Sequence, residues 1–292
     1  MSIRHSLIGL SALVLTASIS ACGSNPTAES TSPGRESPPP ETAARAQAGA
    51  CPTAPVDVVV SVDQWGDIVS ELGGACATVK TVLASSSVDP HDYEPSPADA
   101  ASFTGAKLIV LNGADYDHWA SDLAATSAPA APVVSAAAVT QTEDGANPHL
   151  WYSPSAVTAV ADAVSAELAK IDPEAAGYFS ERRAAFATTM QPYSTLIEKI
   201  KAGATGKSYA ATESVFDYSA EALGLINKTP QGYQQAAANE SEPAPADIQA
   251  FRKALANKQI DVLIYNTQTE GSIPQQIRAA AEESGVPVVE VT

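Results

Sequence analysis

Residues 154–204 read PSAVTAVADAVSAELAKIDPEAAGYFSERRAAFATTMQPYSTLIEKIKAGA, and this stretch sets the architecture. In its first part Val157, Val160, Val164 and Leu168 recur at near-helical spacing. After Asp172-Pro173 a second run aligns Phe179, Phe186, Met190, Tyr193, Ile197 and Ile200 along one stripe. Pro192 removes a backbone donor from that second run, so a kink is expected there. On either side of this helical region the pattern changes to short apolar runs separated by amphipathic segments.

On the N-terminal side, Val56–Val62, Thr78–Leu83, Leu108–Asn112 and Pro132–Ala136 are β-branched or apolar on both faces, as buried strands are. Helices are expected between them at Trp65–Leu72, Pro97–Thr104 and Asp117–Ala125. On the C-terminal side, strands are expected at Ser208–Ala211, Leu225–Lys228, Asp261–Tyr265 and Pro287–Val291. Helices are expected there at Ser214–Leu223, Ala246–Lys258 and Pro274–Ser284. Strand–helix alternation of this kind is the pattern of a parallel sheet covered on both faces. The expected fold is therefore α/β, with two parallel-sheet lobes, residues 51–153 and 205–292, joined by the helical region 154–204. The sequence stops at Thr292 directly on an apolar strand, so the C-terminal lobe is expected to be cut short by at least one helix.

The chain has 292 residues, of which 45% are apolar, so a sizeable core is possible. Its 16 basic and 33 acidic residues give a formal net charge of −17, which excludes a general affinity for nucleic acid. Residues 1–21 carry Arg4, no acid, and an apolar run from Leu7 to Leu15 that is too short to span a bilayer. They read as a secretory signal. Cys22 follows the small pair Ser20-Ala21 and resembles the lipidated cysteine of a bacterial lipobox. From there to Ala50 the sequence is rich in Pro, Ser, Thr, Gly and Ala without apolar periodicity, the composition of a disordered tether over residues 22–50. In an exported chain the remaining cysteines, Cys51 and Cys76, are expected to form a disulfide worth about 3 kcal/mol on the chain-entropy model.

The sequence has four histidines, and His5 lies in the signal. His91 and His149 sit in contexts that echo each other, Asp89-Pro90-His91-Asp92-Tyr93-Glu94-Pro95-Ser96-Pro97 and Asn147-Pro148-His149-Leu150-Trp151-Tyr152-Ser153-Pro154. In each, a proline fixes the backbone before the imidazole, and a Ser-Pro pair supplies the cap and first position of a helix. Asp99, three residues after Ser96, completes a capping-box pattern. Both imidazoles are therefore expected on loops that leave a strand and enter a helix, at the carboxyl edge where open α/β sheets bind ligands. Imidazole suits several divalent metals. His118 begins a predicted helix and reads as a surface residue. Glu213 follows the strand Ser208–Ala211, with Thr212 as the expected helix cap; by itself it reads as a first-turn acid favoured by the helix dipole. Lys201–Ser208 narrowly misses the phosphate-binding loop, since Lys201 stands where its first glycine belongs and the segment precedes a strand instead of following one.

The two histidine loops, the Thr212-Glu213 segment, the lipobox and the two-lobe layout together resemble the zinc/manganese solute-binding lipoproteins of bacterial metal ABC importers. The likeness runs from about Val56 to the C-terminus and is most specific around His91. It implies a rigid joining helix, a metal held in the cleft between lobes, and His91, His149 and Glu213 as metal ligands. Glu at this third position is the manganese-type choice and His the zinc-type one. The family's fourth ligand, an acid beyond the last strand, would fall past Thr292; Asn266, Gln268 and Glu270 are alternatives near in topology. The implied role is an extracytoplasmic, lipid-anchored monomer without enzymatic activity. It captures Mn2+, or Zn2+ as close second, and delivers it to a membrane permease driven by a separate ATPase. A zinc-dependent hydrolase using the same three residues, or a metal-binding surface adhesin, are the alternatives. Because imidazole binds metal only when neutral, affinity is expected to fall below about pH 6.5.

Overall fold

The computed structural model describes residues 49–85, 88–239, 241–268 and 271–292. The signal, Cys22, nearly all of the tether and Glu270 lie outside the described residues. The first half alternates β1 (Val56–Val62), α1 (Asp63–Gly73), β2 (Ala77–Leu83), α2 (Pro97–Phe103), β3 (Leu108–Leu111), α3 (His118–Ser127), β4 (Val133–Ser135) and a short α4 (Ala136–Thr140). Two long helices follow, α5 (Pro154–Ile171) and α6 (Ala176–Ala204). The second half contains β5 (Ser208–Ala211), α7 (Asp217–Ala222), β6 (Ile226–Asn227), α8 (Gln231–Ala238), α9 (Pro245–Ala256), β7 (Val262–Asn266), α10 (Ser272–Glu283) and β8 (Val288–Val291).

The strands form two four-stranded sheets, ordered β2-β1-β3-β4 and β6-β5-β7-β8. Every neighbouring pair is parallel. The two sheets thus repeat one topology, and in each the strand order reverses beside the first strand. The ligand crevice of such a sheet lies outside the carboxyl ends at that reversal, here between β1 and β3 and between β5 and β7.

The first sheet is buried because its middle strands are apolar on both faces: Val58, Val60, Leu108, Ile109 and Val110 are all at most 1% exposed. Trp65, Val69 and Leu72 of α1 and Val160, Val164 and Leu168 of α5 close over it. The second lobe packs Leu263 of β7 with Phe251, Leu255 and Ile277 of α9 and α10. Cys51 and Cys76 are bonded to each other, pinning the chain's entry to the end of α1.

Three expectations need correction. The stripe on α6 is buried only in its first half, where Phe179 and Phe186 pack against the first lobe, whereas Tyr193 and Ile200 are exposed. Helical periodicity specifies a face without saying whether anything covers it. The segment Ser214–Leu223 is split into a 3-10 turn, Ser214–Phe216, and α7. Finally, α4 lies between β4 and the His149 loop, so that loop leaves a helix, not a strand.

Candidate metal centre

The two histidine loops share a device beyond their prolines. Asp89 Oδ1 accepts the His91 backbone N–H at 3.0 Å, and Asn147 Oδ1 accepts that of His149 at 3.1 Å. Each loop is thus an Asx-Pro-His turn, in which the short side chain accepts the backbone N–H two residues on and sets where the imidazole leaves the backbone. Both loops then enter helices as the sequence indicated. Ser96 and Asp99 form the capping box of α2, and the Ser153 hydroxyl accepts the Ala156 N–H at the start of α5.

A strained turn after β3 supports the site. Gly113, Ala114 and Asp115 all have left-handed backbones, with φ of 77°, 52° and 61°. Such a conformation costs roughly 1–2 kcal/mol for each non-glycine residue. The buried Asp117 carboxylate holds the turn by accepting Ser61 Oγ at 2.5 Å, Asn112 N at 2.8 Å and Gly113 N at 2.8 Å. Burial pushes this carboxyl above the usual carboxylate range even against those three donors. The turn delivers Tyr116 between the imidazoles, its ring centroid 4.9 Å from His91 and 6.0 Å from His149. Burial, then the Asp89, Asp117 and Glu213 charges, raises the Tyr116 phenol, which therefore stays protonated. Asn112 ties the turn to the second histidine loop. Its Oδ1 accepts Trp65 Nε1 at 2.9 Å and its Nδ2 donates to Pro148 O at 2.9 Å.

His149 is 6% exposed. Burial, followed by the His91 charge, pushes its pKa down to about 3. The imidazole is therefore neutral across ordinary pH, the form that binds metal. The expected fall in affinity below about pH 6.5 assumed an ordinary imidazole, whereas the buried His149 ring stays neutral well below that pH. Its Nδ1 stands 2.7 Å from Asn147 Oδ1. A carboxamide oxygen only accepts, so Nδ1 carries the proton and Nε2 the lone pair.

Nε2 faces Glu213 Oε1 at 3.5 Å. With a neutral ring this is no ion pair: two acceptor atoms look at each other. Glu213 stands just beyond β5, at the reversal point of the second sheet, and Asn266 at the end of β7 donates Nδ2 to its Oε2 at 2.5 Å. Asn266, considered above as a substitute ligand, is in contact with Glu213 instead. Thr212 does not cap the helix; its hydroxyl accepts the Asn266 backbone N–H at 3.1 Å.

The structure therefore brings His149 and Glu213 together across the seam of the lobes, with His91 near enough to act on His149 electrostatically. Among the described residues no group of three or more His, Cys, Asp or Glu side chains is gathered tightly enough to hold a metal. Tyr116 stands beside both imidazoles. His118 is exposed at the start of α3, away from this set of contacts. Sequence reasoning missed the role of Asn147, although an Asx residue two positions before each histidine was a readable signal.

Two parallel-sheet lobes of repeated topology, meeting at an imidazole from one and a carboxylate from the other, define a two-lobed α/β protein with its candidate site at the seam. Residues 58–292 match the family model of ZnuA, the zinc-uptake complex component A, periplasmic, and the chain belongs to that family. It is 22% identical over 175 residues to the manganese-binding lipoprotein MntA of Halalkalibacterium halodurans, covering 58% of each chain. It is 22% identical over 203 residues to the high-affinity zinc uptake system protein ZnuA of Bacillus subtilis, covering 63% of this chain and 62% of that one. The chain thus spans less than two thirds of the length of these relatives. The fold is that of the periplasmic zinc-binding protein TroA from Treponema pallidum, with a TM-score of 0.65 at 20% identity over 82% of this chain and 87% of that one. No helix among the described residues is long and apolar enough to cross a membrane.

Proposed function

We propose that the chain is the extracytoplasmic metal receptor of an ABC importer, capturing a divalent transition metal and handing it to a membrane permease powered by a separate ATPase. The observation that carries this reading is the facing of the His149 Nε2 lone pair and the Glu213 carboxylate at 3.5 Å. Two acceptors so placed repel unless a cation lies between them. Two ligands each about 2.1 Å from one tetrahedral ion stand about 3.4 Å apart, so the observed gap suits a shared metal. His91 is the third ligand of the proposal, brought in past Tyr116 as the metal binds. The −17 charge favours a cationic cargo.

Manganese is favoured by the carboxylate at position 213 and by the short, histidine-free segment Ala138–Asn147; zinc is second, since intrinsic affinity ranks it higher at nitrogen ligands. The named relatives, one manganese-binding and one a zinc uptake protein, support this pair of metals. We take Cys22 as the lipid anchor that keeps the monomeric receptor at the outer face of the cell membrane. Family membership favours uptake over the hydrolase alternative.

Uptake of radioactive manganese and zinc by a strain lacking the gene tests the proposal. Uptake restored by the wild-type chain but not by His149→Ala or Glu213→Ala is expected. Equal uptake with and without the gene would overturn it.

A further inference from the structure

The geometry points to Asn147 as the positioning residue of the site: its carboxamide fixes the His149 tautomer and ties that imidazole to the Glu213 segment of the other lobe. This rests on the metal-receptor reading for its function, but not for its geometry. Every polar atom of Asn147 beyond its backbone N–H is engaged. Oδ1 lies 3.1 Å from the His149 backbone N and 2.7 Å from His149 Nδ1, accepting from both. Nδ2 donates to Ser214 O at 2.8 Å, on the residue directly after Glu213. The backbone carbonyl accepts the Tyr218 hydroxyl at 2.7 Å.

These bonds fix the amide's orientation from both ends. Turning it over would set NH2 against the His149 N–H and oxygen against the Ser214 carbonyl, so Oδ1 must point to the ring. Nδ1 then holds the proton and Nε2 is left as the donor atom facing Glu213. A short side chain that accepts from an imidazole through one atom and donates to a carbonyl through another is a carboxamide. The matching position in the other loop is Asp89, a carboxylate that accepts the His91 backbone N–H and has no amide with which to donate to a carbonyl. The asymmetry between the two otherwise parallel turns therefore marks the loop that must grip both lobes. Partners that orient a ligating imidazole in this way are typically worth 10–100-fold in metal affinity.

The test compares the wild-type chain with Asn147→Leu, which is close in size but apolar, and Asn147→Asp, which keeps the acceptor and loses the donor. Long-range proton–nitrogen spectra of the metal-free proteins report which His149 nitrogen is protonated, and calorimetric titration with Mn2+ alone and Zn2+ alone reports affinity. Expected are Nδ1 protonation in the wild type and in Asn147→Asp, and its loss in Asn147→Leu together with about 10–100-fold weaker binding. Wild-type His149 protonated at Nε2, an unchanged tautomer in Asn147→Leu, or a changed tautomer with unchanged affinity would each overturn the assignment. Should Asn147→Leu fail to fold, loss of Nδ1 protonation in Asn147→Asp overturns it equally. A wild-type chain that binds neither metal would sink the receptor reading alone, because the tautomer is read without metal.

Discussion

Glu213 and Asn266 meet at the carboxyl ends of adjacent strands, where Asn266 Nδ2 donates to Glu213 Oε2 at 2.5 Å and leaves Oε1 turned toward His149. The amide thereby selects which carboxylate oxygen faces the imidazole. Asn266 is itself 2% exposed and held through its backbone by Thr212. Replacing it by Ala removes the bond that orients Oε2. Manganese and zinc affinities are expected to fall about 10–100-fold with stoichiometry unchanged, as read by titration calorimetry.

The low pKa of His149 makes stability depend on pH. The folded chain protonates this ring near pH 3 and the unfolded chain near 6.5, so between those values the unfolded state binds the extra proton. The stability it contributes is complete above about pH 6.5 and is lost as pH falls toward 3, at up to about 1.4 kcal/mol per pH unit. Denaturant unfolding at pH 7, 5.5 and 4 should show the wild type losing stability relative to His149→Gln on acidification. Parallel curves would contradict the assigned burial of the neutral ring.

Asn112 joins Trp65 Nε1 to the Pro148 carbonyl. Asn112→Leu leaves both without their partner in a buried setting, at a cost of about 1–3 kcal/mol each. The urea midpoint should drop accordingly. Metal affinity should fall as well, because Pro148 precedes the ligand.

Gly113 occupies a left-handed backbone, and a Cβ there would lie 2.6 Å from Ser135 Oγ and 2.8 Å from Ala137 Cβ. Gly113→Ala therefore combines backbone strain with a clash against β4 and α4. A loss of more than about 1 kcal/mol is expected in denaturant unfolding, above the roughly 0.4–1 kcal/mol gain seen where alanine fits.

Much of this was legible in the sequence. Valine- and isoleucine-rich runs bounded by turn residues located the first sheet, whereas Ser208–Ala211 and Ile226–Asn227 of the second carry no such run and were placed by strand–helix alternation. The Ser96–Asp99 capping box and the Ser153 cap appeared where their spacing put them. Two helices were not legible: α4 spans five residues and α8 buries chiefly Tyr233, too little for a helical period to show. Nor could the grip of Asn147 on Ser214 be read, because it joins positions 67 residues apart through a contact that only the assembled lobes create. The outer half of α6 carried an apolar period as clear as the inner half, yet only the inner half is covered.

The most direct test of the central claim is native mass spectrometry of the chain titrated with manganese and zinc, separately and in competition, alongside His149→Ala and Glu213→Ala. One metal ion per chain, lost in both variants, is the result predicted, and the competition then ranks the two cargoes. Binding by the wild type that survives both substitutions would contradict a metal held between His149 and Glu213.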